Sequence, residues 1–348
     1  MINLSNSELE KLAVNFVGNK SNNEGVSISK KLAPLTPLNL EKLQEYFVSK
    51  FNSLIEYYQF THPSSLKFNE VFNYCRDIFD GHMQFKDGAS EISKHLYEHS
   101  THAKINGSEL QIFFLSNCLY GEKKINAIGI CKTENKSGFF ELESTGDNFL
   151  MNYKEGIDFN KLEKGCLILN TDAKDGFVVL NIDKQSNGID AQYWKDDFLE
   201  LKPKNDNYHF TKNLLTITKD YISTRLENEF EVSKTGKIDL LNKSVEYFKT
   251  NDNFNIKEFE ENVFDDPAII KSFQKFGSEY IEYNSIEIAD SFEISRPAVK
   301  KQARIFKSIL KLDKNFHIYI HGNNDLIEKG YDEKKKMNYY KVYFREEI

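Results

Sequence analysis

The spacing of apolar residues along the chain changes period three times. In "SELEKLAVNFVGNK" (7–20), Leu9, Leu12, Ala13 and Phe16 recur at helical intervals, and Ser7 stands where an N-cap belongs, so a first helix is predicted there. "NLEKLQEYFVSKFNSLIEYYQF" (39–60) predicts a longer amphipathic helix, and "FNEVFNYCRDIF" and "ASEISKHLYEHS" predict two shorter ones. Then short runs rich in Ile and Phe take over: "ELQIFFLSNC" (109–118), "KINAIGICKT" (124–133) and "SGFFELES" (137–144). The links "LYGEK" and "ENK" read as hairpin turns, and "GCLILNTD", "GFVVLNID" and "AQYWKDDFLEL" extend the strands to about residue 201. Successive hairpins favour an antiparallel meander over a parallel sheet.

The polar stretch "LKPKNDNY" (201–208) is the natural linker. Beyond it "TKNLLTITKDYISTRLENEF", "KIDLLNKSVEYFK" and "DDPAIIKSFQKFGSEYIEY" are helical in pattern, and "NFHIYIHG" (315–322) and "NYYKVYFRE" (338–346) are strand-like. The expected fold class is α+β with two domains. Residues 1–203 supply helices to about residue 100 and an antiparallel sheet over 109–200. Residues 204–348 supply a mostly helical domain that ends in a basic helix and a β-hairpin.

The segment "IADSFEISRPAVKKQAR" (288–304) looks like a helix-turn-helix, with Ser295 as an N-cap and Pro297 in the first turn. Glu293, however, occupies the turn position where glycine is usual, and "SIEIADSF" is too short and acidic to cross a DNA backbone favourably. A helix over 296–311 would align Arg296, Lys300, Arg304, Lys307 and Lys311 in one stripe, opposite Val299, Ala303, Phe306 and Leu310. "KSILKLD" also alternates, which allows a strand to begin near Phe306. If the two tail strands pair, Phe316, Ile318 and Ile320 share a face with Tyr340, Val342 and Phe344. The other face mixes His317, Tyr319 and His321 with Tyr339, Lys341, Tyr343 and Arg345. Interleaved basic and aromatic side chains suit nucleic acid; cross-strand aromatic packing would look the same. With Lys301 and Lys314 added, the candidate contacts are Arg296, Lys300, Lys301, Arg304, Lys307, Lys311, Lys314, Lys341 and Arg345.

Charge sharpens this. The 348 residues carry a net −7, yet from Arg296 onward 13 basic residues stand against seven acidic ones, a net +6. The first 295 residues therefore hold −13. Such asymmetry points to an anionic partner for the tail and speaks against coating by the whole surface.

Candidate chemistry elsewhere is sparse. His95, His99 and His102 fall at i, i+4 and i+7, but Glu98 does not stand where an H-E-x-x-H general base would. Glu134 and Lys136 have the Glu-x-Lys form of metal-dependent nucleases; no Asp occurs from residue 90 to 134 to help hold a metal, and a turn between strands explains them as well. Cys75, Cys118, Cys131 and Cys166 lie far apart with no CxxC pair, as expected of packed, reduced thiols. No nucleotide-binding loop occurs, and neither a cofactor nor catalysis is expected. The N-terminal "MINLSNSELEKLAVNF" lacks the basic start and apolar run of a signal peptide, and no apolar stretch approaches the roughly 18 residues of a membrane span. A cytoplasmic protein without membrane contact is expected.

Four long stretches resemble the family of 37-kDa nucleoid-associated bacterial proteins, most closely members from Bacteroidota-like bacteria. They are "LYEHSTHAKINGSELQIFFLSNC" (96–118), "INAIGICKTENKSGFFEL" (125–142), "GKIDLLNKSVEYFK" (236–249) and "AVKKQARIFKSILKLDKNFHIYIHG" (298–322). The resemblance implies a nucleoid location and binding to double-stranded DNA, directly or through a partner such as a type II topoisomerase or a phage-defence protein. It implies no catalytic residues. The acidic balance departs from that of a small basic nucleoid protein, which favours a localised contact or a protein partner. A homodimer is expected because two copies would double a modest basic surface.

Overall fold

The computed structural model describes residues 2–184, 193–304, 306, 309–314, 316–320 and 326–346. The chain divides into two compact units, Met1–Lys204 and Asn205–Ile348. In the first unit a long antiparallel sheet is buried on both sides. Its early strands are β1 (Ile2–Asn3), β2 (Glu8–Val17), β3 (Val26–Ser27) and, after helix α1 (Pro37–Phe51), β4 (Tyr57–Phe60). Helices α2 (Glu70–Phe79) and α3 (Phe85–His99) precede β5 (Ser108–Tyr120), β6 (Lys123–Lys132), β7 (Lys136–Ser144) and β8 (Phe149–Ile157). The last strands are β9 (Lys164–Leu169), β10 (Val178–Asp183) and β11 (Leu201–Pro203). Spatial order is β11-β4-β10-β9-β6-β5-β2-β3, with β1 also on β5, while β7 and β8 form a separate ribbon.

Residues 7–20 are not the predicted helix. Glu8–Val17 pairs with β5, and Ser7 donates its hydroxyl to the Leu4 carbonyl. Leu9 opposes Leu115, but the register then slips so that Lys11 opposes Phe114 and Leu12 opposes Phe113. That bulge puts Leu9 and Leu12 in one core although they are three residues apart, an interval a regular strand would split between faces. The helix predicted to residue 60 stops at Phe51. In "YYQF" Tyr57 and Phe60 fall in opposite cores, which the period of a strand allows. "YWKDDF" is not a strand either. Tyr193–Phe198 makes a π-helical turn that buries Tyr193, Trp194 and Phe198, and Ala191 and Gln192 of the predicted strand lie outside the described residues. The meander is real over β5, β6, β9 and β10, but the β7–β8 ribbon interrupts it and β4 returns from earlier in the chain to pair with β10.

Helices α2 and α3 cover one sheet face and α1 covers the other, so strand residues of both parities are buried. Gly129 makes this packing possible: it opposes Phe113, whose ring stacks 3.9 Å from Phe47, and an added Cβ would meet that ring at 1.9 Å. The cysteines are all unpaired and buried, and burial pushes the Cys118 thiol up to about 12, as suits inert packing.

One row of the sheet is charged. Lys132 on β6, Lys164 on β9 and Asp183 on β10 are cross-strand neighbours. Lys132 Nζ donates to Glu134 (2.9 Å) and to the Asn106 carbonyl (2.7 Å), Lys164 pairs with Asp183, and Tyr193 Oη donates to Glu134 (2.7 Å). Both ammonium groups lie over the Tyr193 ring, at 5.8 and 5.5 Å. Burial pulls the Lys132 pKa below the usual lysine range against the opposing pull of Glu134, and burial raises that of Asp183 against Lys164.

The second unit begins with α4 (Asn207–Asp220), a π-helical turn, α5 (Leu226–Glu229) and α6 (Lys234–Thr250). The short strand β12 (Asn253–Asn255) leads to α7 (Ile256–Phe264) and α8 (Pro267–Asn284). Then β13 (Ser291–Glu293) pairs with β12, stacking Phe292 on Phe254 at 4.9 Å. Helix α9 (Arg296–Ala303) is followed by the hairpins β14 (Ile309–Leu312)–β15 (Phe316–Tyr319) and β16 (Ile327–Asp332)–β17 (Met337–Val342).

Two measurements check the packing. Gly129→Val should lower the urea midpoint by an amount equivalent to about 1–3 kcal/mol with an unchanged m-value, from overpacking against Phe113. Lys132→Met should cost about 3–5 kcal/mol because Glu134 is left buried without its ion-pair partner, and Lys132→Met combined with Glu134→Gln should recover part of it. Equal losses in the single and double variants would mean that the ion pair is not the source.

Candidate nucleic-acid interface

The predicted cations separate into anchored and free groups. Arg296 belongs to the first: its guanidinium donates to the Phe248 carbonyl (3.2 Å) and the Lys249 carbonyl at the C-terminal end of α6, and pairs with Asp252 (2.5 Å). A cation there satisfies carbonyls that the helix leaves without partners. Lys301 lies 6.0 Å over the Tyr208 ring. Lys300 and Arg304 point to solvent, while Ala298, Val299 and Gln302 bury the opposite side of α9. Ser295 holds the N-cap position without a side-chain capping bond; its N–H donates to Thr211 Oγ1 at 3.0 Å.

The stripe predicted over 296–311 is therefore short. The helix ends at Ala303, Lys311 lies on β14, and Lys307 lies outside the described residues. Alternation in "ILKL" decides for the strand, because Leu310 and Leu312 pack with Ile318 and Ile320 while Lys311 and its cross-strand partner His317 face water. Lys314 is exposed in the turn that follows. No helix leads into α9: residues 291–293, Glu293 included, are paired strand, so the helix-turn-helix does not form.

The two tail strands do not pair with each other as predicted. "FHIY" pairs back with β14, and "MNYYKV" pairs with β16 in the register Ile327 to Val342 through Asp332 to Met337. Ile327 and Tyr340 rest on the small core of Ile238, Leu310 and Ile320. The opposite face of the β16–β17 hairpin is open and carries Met337, Tyr339 and Lys341, with Tyr343 beyond. Lys341 is shared with Glu328 (3.6 Å), which also accepts from Tyr343 Oη (2.7 Å); Arg345 is exposed. His321, expected on the basic face, lies outside the described residues.

The hairpin tip is where sequence reasoning fell short. The Asp332 carboxylate accepts the N–H groups of Lys334 (2.9 Å) and Lys335 (3.0 Å), and Lys336 turns with φ +52°. This side-chain-supported turn holds three consecutive exposed lysines at the end of a tyrosine-bearing ribbon. The signal was present in "YDEKKKMNYY": a turn-forming Asp followed by a lysine run between two strand-like segments. An open groove of about 750 Å³ runs along this hairpin between Phe316, Asp332, Lys335, Met337, Tyr339 and Lys341.

In the first unit the other candidates have local roles. His95 Nδ1 meets Glu70 (2.5 Å) and its Nε2 meets the Phe198 carbonyl (3.3 Å), while α3 ends at His99 before His102. Burial and then the adjacent His99 lower the His95 pKa. Glu134 is bound to Lys132 and Tyr193, and Lys136 pairs instead with Glu109 (2.8 Å). Among the described residues no three metal-ligating side chains converge, and no helix is long and apolar enough to cross a membrane.

No curated protein matches the chain. A family model described as nucleoid-associated protein YejK matches residues 16–338, which takes in the sheet strands from β3 to β11, the helical core, α9 and the lysine tip. With the match running through both units, the chain belongs to the YejK family of nucleoid-associated proteins.

Proposed function

We propose that this nucleoid-associated protein binds double-stranded DNA with little sequence preference through the basic surface of its second unit. The observation that carries the reading is the lysine tip of β16–β17, Lys334, Lys335 and Lys336, on a ribbon whose open face bears Tyr339 and Lys341. Lysines at an exposed turn neutralise phosphates as point charges and read no base edge. Lys300, Arg304, Lys311, Lys314 and Arg345 supply further exposed cations. Arg296 contributes by holding α9 to α6.

Binding of this kind releases counterions, so log affinity falls by about 0.9 per log salt for each phosphate neutralised. Fluorescence anisotropy of the full chain with a duplex at two salt concentrations should show that fall. Reversing Lys334, Lys335 and Lys336 to Glu should weaken binding by more than about tenfold and flatten the salt slope by roughly 2–3. Lys300→Glu with Arg304→Glu should weaken it further. Arg296→Ala should lower thermal stability and leave the salt slope unchanged. Salt-insensitive binding, or full binding by the tip variant, would remove the site.

The −13 carried by the first 295 residues favours a second reading, in which the protein reaches the nucleoid through a protein partner such as a type II topoisomerase. Absence of any duplex shift at low salt, together with retention of one partner, would decide for it.

A further inference from the structure

The β7–β8 ribbon is uncovered on its apolar side. Among the described residues each of its strands pairs only with the other, from Lys136 opposite Ile157 to Ser144 opposite Phe149. Alternation along that register places Phe140, Leu142, Phe149, Met151, Tyr153 and Ile157 on one face, each between 42% and 68% exposed. Lys136 and Glu155 share that face at its end away from the turn, where Tyr153 Oη donates to Glu155 (3.1 Å). The other face carries Glu141, Glu143, Asn152 and Lys154 beside Phe139 and Leu150, with Lys154 paired to Glu141 at 2.5 Å. The ribbon is thus amphipathic, with its apolar side turned to water. A two-stranded hairpin of this kind is marginal alone, and a contiguous apolar patch of this size marks an interface.

We propose that this face joins two copies of the chain, ribbon on ribbon, about a two-fold axis. Charge rules against an anionic occupant. Residues 136–157 hold Glu141, Glu143, Asp147 and Glu155 against Lys136 and Lys154, and both lysines are already paired within the chain. The end of the apolar face near the turn, from Phe140 and Tyr153 to Ser144 and Phe149, carries no ionisable group apart from the tyrosine, so a second copy brings no like charge against it. A two-fold contact needs one patch that complements itself, and the turn-proximal part of this face, apolar and without charge, meets that need, with Lys136 and Glu155 at its far margin. Covering the six side chains would remove roughly 700 Å² per copy, close to the ~800 Å² per partner of a standard specific interface. Edge-to-edge pairing would lengthen the sheet and leave the face wet. Face-to-face packing at about 10 Å removes it from water.

The test uses the full chain in two ways. Light scattering across the micromolar range should show a concentration-dependent dimer, and Leu142→Lys with Met151→Lys should be monomeric where the parent is dimeric, with an unchanged far-ultraviolet circular dichroism spectrum. Because the four native cysteines are buried, single introduced thiols report the contact cleanly. With diamide as oxidant, Leu142→Cys should give a covalent dimer and Asn152→Cys, on the polar face, should not. A parent chain that stays monomeric at every concentration overturns the proposal, even if the face captures a different protein. A lysine variant that still dimerises, or cross-linking through Asn152→Cys in place of Leu142→Cys, overturns it too.

Discussion

Antiparallel pairing of β5, β6, β9 and β10 into a sheet covered on both faces is the constraint on which the first unit depends. Strands in such a sheet bury residues of both parities, so Ile128, Ile130, Cys131, Cys166, Leu167 and Ile168 are all without solvent exposure. Charge can enter only as a closed network. Lys132, Lys164, Glu134 and Asp183 meet that condition by placing each ammonium beside a carboxylate and over the Tyr193 ring. The same requirement explains why Glu134 is committed to Lys132 and Tyr193 and why Lys136 turns away to Glu109.

The second unit sorts its cations by the partners within their reach. Its core is an aromatic cluster in which Phe248, Phe254 and Phe292 stack in sequence across β12 and β13. Arg296, at the start of α9, is exposed but is used up by the carbonyls at the end of α6 and by Asp252. Lys300 and Arg304 at the end of α9, Lys311 and Lys314 near the first hairpin and the tip lysines Lys334, Lys335 and Lys336 are exposed. Proposed phosphate contacts therefore fall on short elements and turns, while the basic residue best placed by sequence is a structural clamp.

Both β-ribbons illustrate how one pattern acquires different roles. β7–β8 and β16–β17 are two-stranded, aromatic and largely exposed, but residues 136–157 are acidic and the tip at 334–336 is basic. The two proposals rest on this difference: an uncovered apolar face for a like copy in the first, a basic tip for phosphate in the second. Neither surface could be recognised from its residues until the pairing register showed which side chains share a face.

By itself, the sequence determined what depends on local pattern. Turn chemistry and β-branched, aromatic runs marked the strands from 109 to 144, and the isolated thiols in apolar runs are packed as read. The charge asymmetry, a net +6 from Arg296 onward, is legible there too. Tertiary structure decided what depends on partners far away in the chain. A bulge against β5 turned the helical spacing of Leu9 and Leu12 into a strand, Asp252 and the end of α6 claimed Arg296, and β14 ended the basic stripe by folding back on β15. The physical reason is common to all three. Period and propensity bias a segment by fractions of a kcal/mol per residue, whereas burial against a distant element is worth about 1.5–3 kcal/mol per large side chain, and burial wins.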